Sequence, residues 1–457
     1  MTSPIKTLKD NPAFRWGILL MIAFVQAANY YFYDVISPLK RTLETSFGLT
    51  TSDFGLYVAA YSIPNTFLLM AIFGGIILDK LGIRRTGLLF ISLMTAGGIV
   101  TAYGASPMYT NDGPFYSFMS SFATNYSPEL KMMLIGRFLF GLGAETSIVV
   151  VSKTIVKWFK GKELALAFGT KIGIARLGSF AALFFTVDIA ESSSHWTMAI
   201  WFAALLLCIA LLAFVFYTFF DRKLDKQINI ETTKADAFKL KDLSDLFTNK
   251  SFIYVTLLCL TFYSAVFPFQ SFSPDFFLNK YGVDQALSGR IASTLALGAL
   301  FFTPFFGFIV DRFGKSATFM IAGSLMLVVI HLTFAFTNLY PVVPMILLGV
   351  TFSLVPAAMW PAVAKIVPEN KIGTAYGAMF SIQNLGLWAF PLLIGYVVDK
   401  SNPGITQEQI NAGASLNYEY AIVMLALLGI LGLIFAILLK REDVKSGYGL
   451  ELPSNSK

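Results

Sequence analysis

Twelve apolar runs, each long enough to cross a hydrocarbon core of about 30 Å, alternate with shorter polar segments along this chain. Six lie near 16–38, 54–78, 86–105, 131–158, 164–188 and 197–220. Six more lie near 252–279, 288–310, 317–337, 341–367, 372–398 and 419–439. Backbone inside a bilayer has to satisfy its own hydrogen bonds, so these runs are expected to be helices rather than strands. Residues 221–250, rich in Lys, Asp and Thr, form the long polar stretch between the two sets. The pattern therefore predicts an all-α membrane protein of twelve transmembrane helices in two six-helix bundles. The expected divisions are 1–220, a linker at 221–250, and 251–457, which ends in a short tail.

The two halves repeat one plan. GIILDKLG at 75–82 recurs as GFIVDRFG at 307–314, and AFGTKIGIARLG at 167–178 recurs as AYGAMFSIQNLG at 375–386. A shared supersecondary unit in both halves is the mark of a duplicated membrane transporter. Gly75, Asp79, Lys80, Gly82 and Arg84 in the first loop match Gly307, Asp311, Arg312 and Gly314 in the second. They are expected to gate conformational change, because a carboxylate at the rim can pair with loop cations or cap a helix in one state only. The alternative is that such loops serve only as positive anchors. Gly169 and Gly178 align with Gly377 and Gly386, where small residues allow close helix packing.

Composition supports the lipid environment: 56% of residues are hydrophobic and only 13% charged, far from the roughly 25% charged of soluble domains. The net charge of +7 does not indicate nucleic acid, since the positives occupy segments between apolar runs. Their bias toward one face, about four to one, places both termini and the linker in the cytoplasm. The first run is expected to be a span and not a removed leader. Cys208 and Cys259 each lie in an apolar run and are expected to be unpaired. His195 and His331 lack ligand spacing, so neither a metal nor another cofactor is expected.

Arg137, Lys171 and Arg176 fall inside apolar runs, where an ionised side chain is costly unless paired or hydrated. Function is expected near them. At the position of Arg176 the second half carries Asn384, so one half would supply charge to a shared cavity and Gln383 and Asn384 polar groups. Gln26, Asn29, Tyr30 and Tyr33 share a helical face that would either line the cavity or join helices. Tyr61 and Asn65 are four apart, with Pro64 between them as a potential kink. Trp360 is a cavity wall or a packing aromatic.

The loop GIILDKLGIRR, its echo GFIVDRFGK and RFLFGLG at 137–143 resemble the signature motifs of the major facilitator superfamily, over essentially 14–440. The first loop has Ile83 where a basic residue is more usual. Within the superfamily, WPAVAKIVPENKIGTAYGAMFSIQNLG at 360–386, with Glu145 and Arg176, is similar to the lysosomal dipeptide uniporter family. That resemblance implies that Glu145 engages the amino end of a dipeptide and Arg176 its carboxylate. Arg137 matches the arginine tied to coupling in the superfamily's proton antiporters, or else is structural.

Helix rise puts Glu145 roughly 21 Å along the fourth run and Arg176 roughly 20 Å along the fifth. Both thus reach mid-membrane, where they could neutralise each other in an empty cavity. The expected function is a non-enzymatic carrier of small zwitterionic solutes, foremost dipeptides, by alternating access. Protons are an alternative coupling partner, and transport is expected to be facilitated. The molecule is expected to be a monomer in a plasma (inner) membrane, more than a lysosomal one, because no acidic dileucine signal stands near the N-terminus. Alternatives are an organic-anion or amino-acid carrier, or a non-transporting receptor or scaffold.

Overall fold

The computed structural model describes residues 7–227, 244–368 and 371–453. Among these, eleven helices are long and apolar enough to cross a membrane. One of them, Met70–Ala105, contains two spans, because it folds back at Gly82 (φ 78°, ψ 168°). The reversal is fixed by the Thr86 hydroxyl, which donates to the Ile77 carbonyl nine residues earlier at 3.4 Å. In a straight helix those groups would stand about 13 Å apart. Twelve spans result, as the apolar pattern predicts.

α1 is Pro12–Asp34. α2 is broken into Thr51–Ala60, Ile63–Phe67 and the part of Met70–Ala105 that precedes Gly82, and α3 is the part that follows. Then come α4 (Pro128–Phe159), α5 (Leu164–Ser192) and α6 (Met198–Gln227). The second half holds α7 (Lys250–Tyr281), α8 (Gln285–Phe313) and α9 (Ser316–Phe336). It closes with α10 (Val342–Ile366), α11 (Ile372–Ser401) and α12 (Glu419–Ser446). Two details differ from the sequence reading. The second apolar run is not one helix, and α6 continues through the first residues of the expected linker to Gln227. There Asp221 binds Arg84 at 3.1 Å and Lys157 at 2.7 Å. Most of the expected linker, 228–243, lies outside the described residues.

In the first half α1 packs on α5 and α6, α3 on α6, and α4 against α2 and α3. The second half repeats these partnerships as α7 with α11 and α12, α9 with α12, and α10 with α8 and α9. The aligned glycines explain part of this symmetry. A Cβ on Gly178 would stand 2.1 Å from the Ala27 carbonyl of α1, and one on Gly386 would stand 1.8 Å from the Ser264 hydroxyl of α7. Gly169 has no such neighbour. Between the halves, α5 lies along α8 and the start of α2 along α11.

Candidate functional site

Glu145 lies near the middle of α4 and Arg176 near the middle of α5, each partly exposed. The expected ion pair between them is not formed. The Tyr61 hydroxyl donates to Glu145 Oε1 at 2.8 Å. Arg176 lies over three rings, with its guanidinium carbon 5.2 Å from Tyr30, 5.9 Å from Phe267 and 4.8 Å from Phe352. It has no hydrogen-bond or ion-pair partner among the described residues. The physical reason is that aromatic faces attract a guanidinium without occupying its N–H donors. Both charges keep hydrogen-bonding capacity for a ligand.

The break in α2 positions Tyr61. Helix α2 unwinds at Tyr61 and Ser62 and again at Leu68 and Leu69, where Leu69 adopts φ 49°. Pro64 sits in the short helical piece between the two breaks. Gly141 of α4 receives this segment: a Cβ there would stand 2.2 Å from the Tyr61 carbonyl oxygen. Gly143 plays the same part toward α3, 2.2 Å from the Phe90 carbonyl. Asn65 is fully buried beside the Glu145 carboxylate.

Arg137 is caged by Tyr33, Tyr57, Tyr61 and Phe140, at 4.8 to 5.5 Å. It donates to the Tyr33 carbonyl at 3.1 Å. Tyr61 therefore touches both Arg137 and Glu145. Tyr30 and Tyr33 of the helix-one stripe face these charges, but Gln26 does not. Gln26 is fully buried and donates to the Ser147 hydroxyl of α4 at 3.3 Å, which makes it a join between helices in this state. Gln383 is likewise drawn to a neighbour, accepting from the Cys259 thiol of α7 at 3.5 Å. Asn384 donates to its own helix at Phe380 and keeps a buried Oδ1 without a partner. Lys171 is partly exposed and has no hydrogen bond or ion pair among the described residues.

Trp360 is half-buried and packs among aromatic neighbours. Its Nε1 donates to the Tyr263 hydroxyl at 3.1 Å, its carbonyl accepts from the Tyr376 hydroxyl at 3.0 Å, and its ring stacks on Phe380 at 4.7 Å. Tyr263, Phe267 and Phe352 carry no signal in the sequence, being aromatics among 45 Phe and 19 Tyr.

The repeated loops occupy matched turns. Gly82 and Gly314 both adopt positive φ, at 78° and 69°, a conformation that favours glycine. Asp79 binds Lys153 of α4 at 2.5 Å, and Arg84 binds Asp221 and Asp225 of α6. Lys80 is exposed beside them. In the second loop Arg312 lies over Phe308 and Phe313. A Cβ on Gly314 would meet the Leu452 backbone at 2.4 Å, so the tail crosses this turn. Asp311 occupies the place of Asp79. Gly75 and Gly307 have open space where a side chain would stand.

A cluster on the side away from the termini joins the halves. Lys40 Nζ binds Glu44 at 2.7 Å and Asp275 of α7 at 2.9 Å, all buried. Arg41 reaches Asp275 at 3.4 Å and Asn279 at 2.7 Å, and the Tyr418 hydroxyl donates to Asp275. Asp399 of α11 accepts from the backbone N–H groups of Thr51 and Ser52 at the start of α2, and Arg290 binds Asp188 at 2.9 Å. On the terminal side, by contrast, the pairs Asp79–Lys153, Lys157–Asp221 and Arg15–Glu163 each join helices of one half. An acid inside an apolar run was a readable signal for Asp275, as it was for the basic residues.

The sequence matches the Major Facilitator Superfamily over residues 19–391. Among curated proteins it is 31% identical over 398 residues to the lysosomal dipeptide transporter MFSD1 of Homo sapiens, covering 85% of this chain and 80% of that protein. It is 25% identical to a probable nitrate transporter, NarT, of Staphylococcus haemolyticus over 69% of this chain and 75% of that protein. Two solved structures share the fold. The xylose transporter XylE from E. coli in an inward open conformation has a TM-score of 0.68 at 16% identity, covering 93% and 96% of the two chains. A bacterial homologue of the human lysosomal transporter Spinster, inward-facing and unoccupied, has a TM-score of 0.67 at 14% identity, covering 95% and 98%.

Proposed function

This chain belongs to the major facilitator superfamily, and we propose that within it the protein is a facilitative carrier of dipeptides. The observation that carries this reading is the pair of opposite charges at similar depth, each left available. Glu145 holds one hydroxyl, and Arg176 holds only ring faces. A zwitterion of dipeptide length can place its ammonium on Glu145 and its carboxylate in the fork of Arg176, where two parallel hydrogen bonds form. An anion carrier has no use for Glu145 at that depth, and a sugar site would rely on neutral groups. Likeness to the dipeptide transporter MFSD1 supports the same reading.

Alternating access follows from two bundles that meet on one side at a time. The joined side carries Lys40, Arg41 and Asp275, so we read this state as facing the terminal side, with both termini cytoplasmic. The test is uptake of a labelled neutral dipeptide into proteoliposomes, with and without an inward proton gradient. Equilibration without the gradient, abolished in Arg176→Ala, is the expected result. Gradient-driven accumulation would make the protein a symporter. Uptake retained in Arg176→Ala would remove that residue from the site.

A further inference from the structure

Beyond the two charges themselves, their surroundings differ in chemistry. From Arg176 a continuous set of rings leads away along the second half. Phe352 and Phe267 touch the guanidinium, Phe267 stacks on Tyr263 with centroids 5.6 Å apart and planes at 10°, and Trp360 stands 6.4 Å beyond Tyr263. Trp360 offers no polar edge, because its Nε1 is bonded to Tyr263 and its carbonyl to Tyr376. What it presents is hydrocarbon, in a fixed orientation. Around Glu145 the groups are polar instead: the Tyr61 hydroxyl and the side-chain amide of buried Asn65.

The Cα that bears a carboxylate is one bond, about 1.5 Å, from it, and the preceding Cα is separated from that Cα by about 3.8 Å. A carboxylate docked on Arg176 therefore brings the side chain of the last residue against the rings, while the first residue's side chain stays toward Glu145. We propose that the aromatic wall centred on Trp360 reads the carboxy-terminal side chain, so that the carrier distinguishes the two orders of one pair of amino acids. The inference rests on the dipeptide reading above. Its substrate class is dipeptides with an aromatic or large apolar residue at the carboxy end.

Competition against labelled Ala-Ala uptake in proteoliposomes tests it, using Ala-Phe and Phe-Ala, which have the same atoms in reversed order. Ala-Phe is expected to compete better by on the order of tenfold, the scale of one added aromatic contact with its buried area. In Trp360→Ala the ratio is expected to fall toward one. Because the ratio is taken within one preparation, it does not depend on how much protein folded. Should that variant carry no flux, Phe380→Ala, which removes the ring on which Trp360 stacks, must narrow the ratio instead. Equal competition by both peptides, preference for Phe-Ala, or a ratio indifferent to these variants would overturn the inference while leaving dipeptide transport standing. No uptake of Ala-Ala by folded protein would overturn the dipeptide reading, and this inference with it.

Discussion

Glu145, near the middle of α4, has a carboxylate that accepts a hydrogen bond from the Tyr61 hydroxyl. Hydrogen bonds to charged groups contribute about 1.5–3 kcal/mol, so Tyr61→Phe, which keeps the ring beside Arg137, is expected to raise the dipeptide KM at least about tenfold. An unchanged KM in proteoliposome uptake would reduce Tyr61 to packing. At the terminal rim, Asp10 is held well below the usual carboxylate range by the Lys162 ammonium and by Thr7. A depressed carboxyl contributes stability above its ordinary value, about 3.9, and that contribution fades as pH falls below it. The protection factors of the amides of residues 7–11, with the intrinsic pH dependence of exchange divided out, are therefore expected to be level at neutral pH and to fall as pH drops below about 4. The place of Glu145 and Arg176 midway along α4 and α5 was legible because helical rise is fixed. Their partners were not, because a ring that receives a cation looks like any packing aromatic in a chain with 45 Phe.

Helix α2 shows what an element-level reading captures and what it misses. The period and length of its apolar run announce a span, and Pro64 marks a place where a helix is awkward. Of its two breaks, at Tyr61–Ser62 and Leu68–Leu69, the first is accommodated by Gly141 of α4, which leaves room for the Tyr61 carbonyl. Tertiary contact of this kind leaves no local signature. Gly141→Ala places a methyl group 2.2 Å from the Tyr61 carbonyl oxygen. It is expected to destabilise the fold by about 1–3 kcal/mol and to weaken transport by displacing Tyr61. A thermal melt in detergent and an uptake assay check both effects, and a wild-type melting temperature would contradict the close approach. The turns of the repeated loops, by contrast, were legible, because Gly82 and Gly314 adopt a positive φ that favours glycine.

For the whole molecule, duplication sets the architecture, and the two halves differ at a few polar positions. Helix partnerships repeat between halves, yet Arg176 faces Asn384 across the symmetry. The halves are joined by the buried cluster of Lys40, Glu44, Arg41 and Asp275. Breaking a buried pair by removing one partner costs about 3–5 kcal/mol, enough to shift an equilibrium between two bundle arrangements decisively. Asp275→Asn is therefore expected to favour the state opened on the side away from the termini. A cysteine placed at Thr42, with Cys208 and Cys259 replaced, should then react faster with an impermeant thiol reagent added on that side. Unchanged reactivity would show that the cluster does not hold the bundles together. The charges of this cluster were visible in the sequence, but their meeting across 235 residues between Lys40 and Asp275 depends on how the two bundles dock.

The claim on which these arguments converge is that one site reads both ends of a dipeptide. Calorimetric titration of the purified protein with Ala-Phe, its N-acetylated form and its C-amidated form tests that claim directly. Binding of the free peptide, lost when either end is blocked, is the predicted result. Equal binding of the C-amidated peptide would contradict the role of Arg176, and equal binding of the acetylated one that of Glu145.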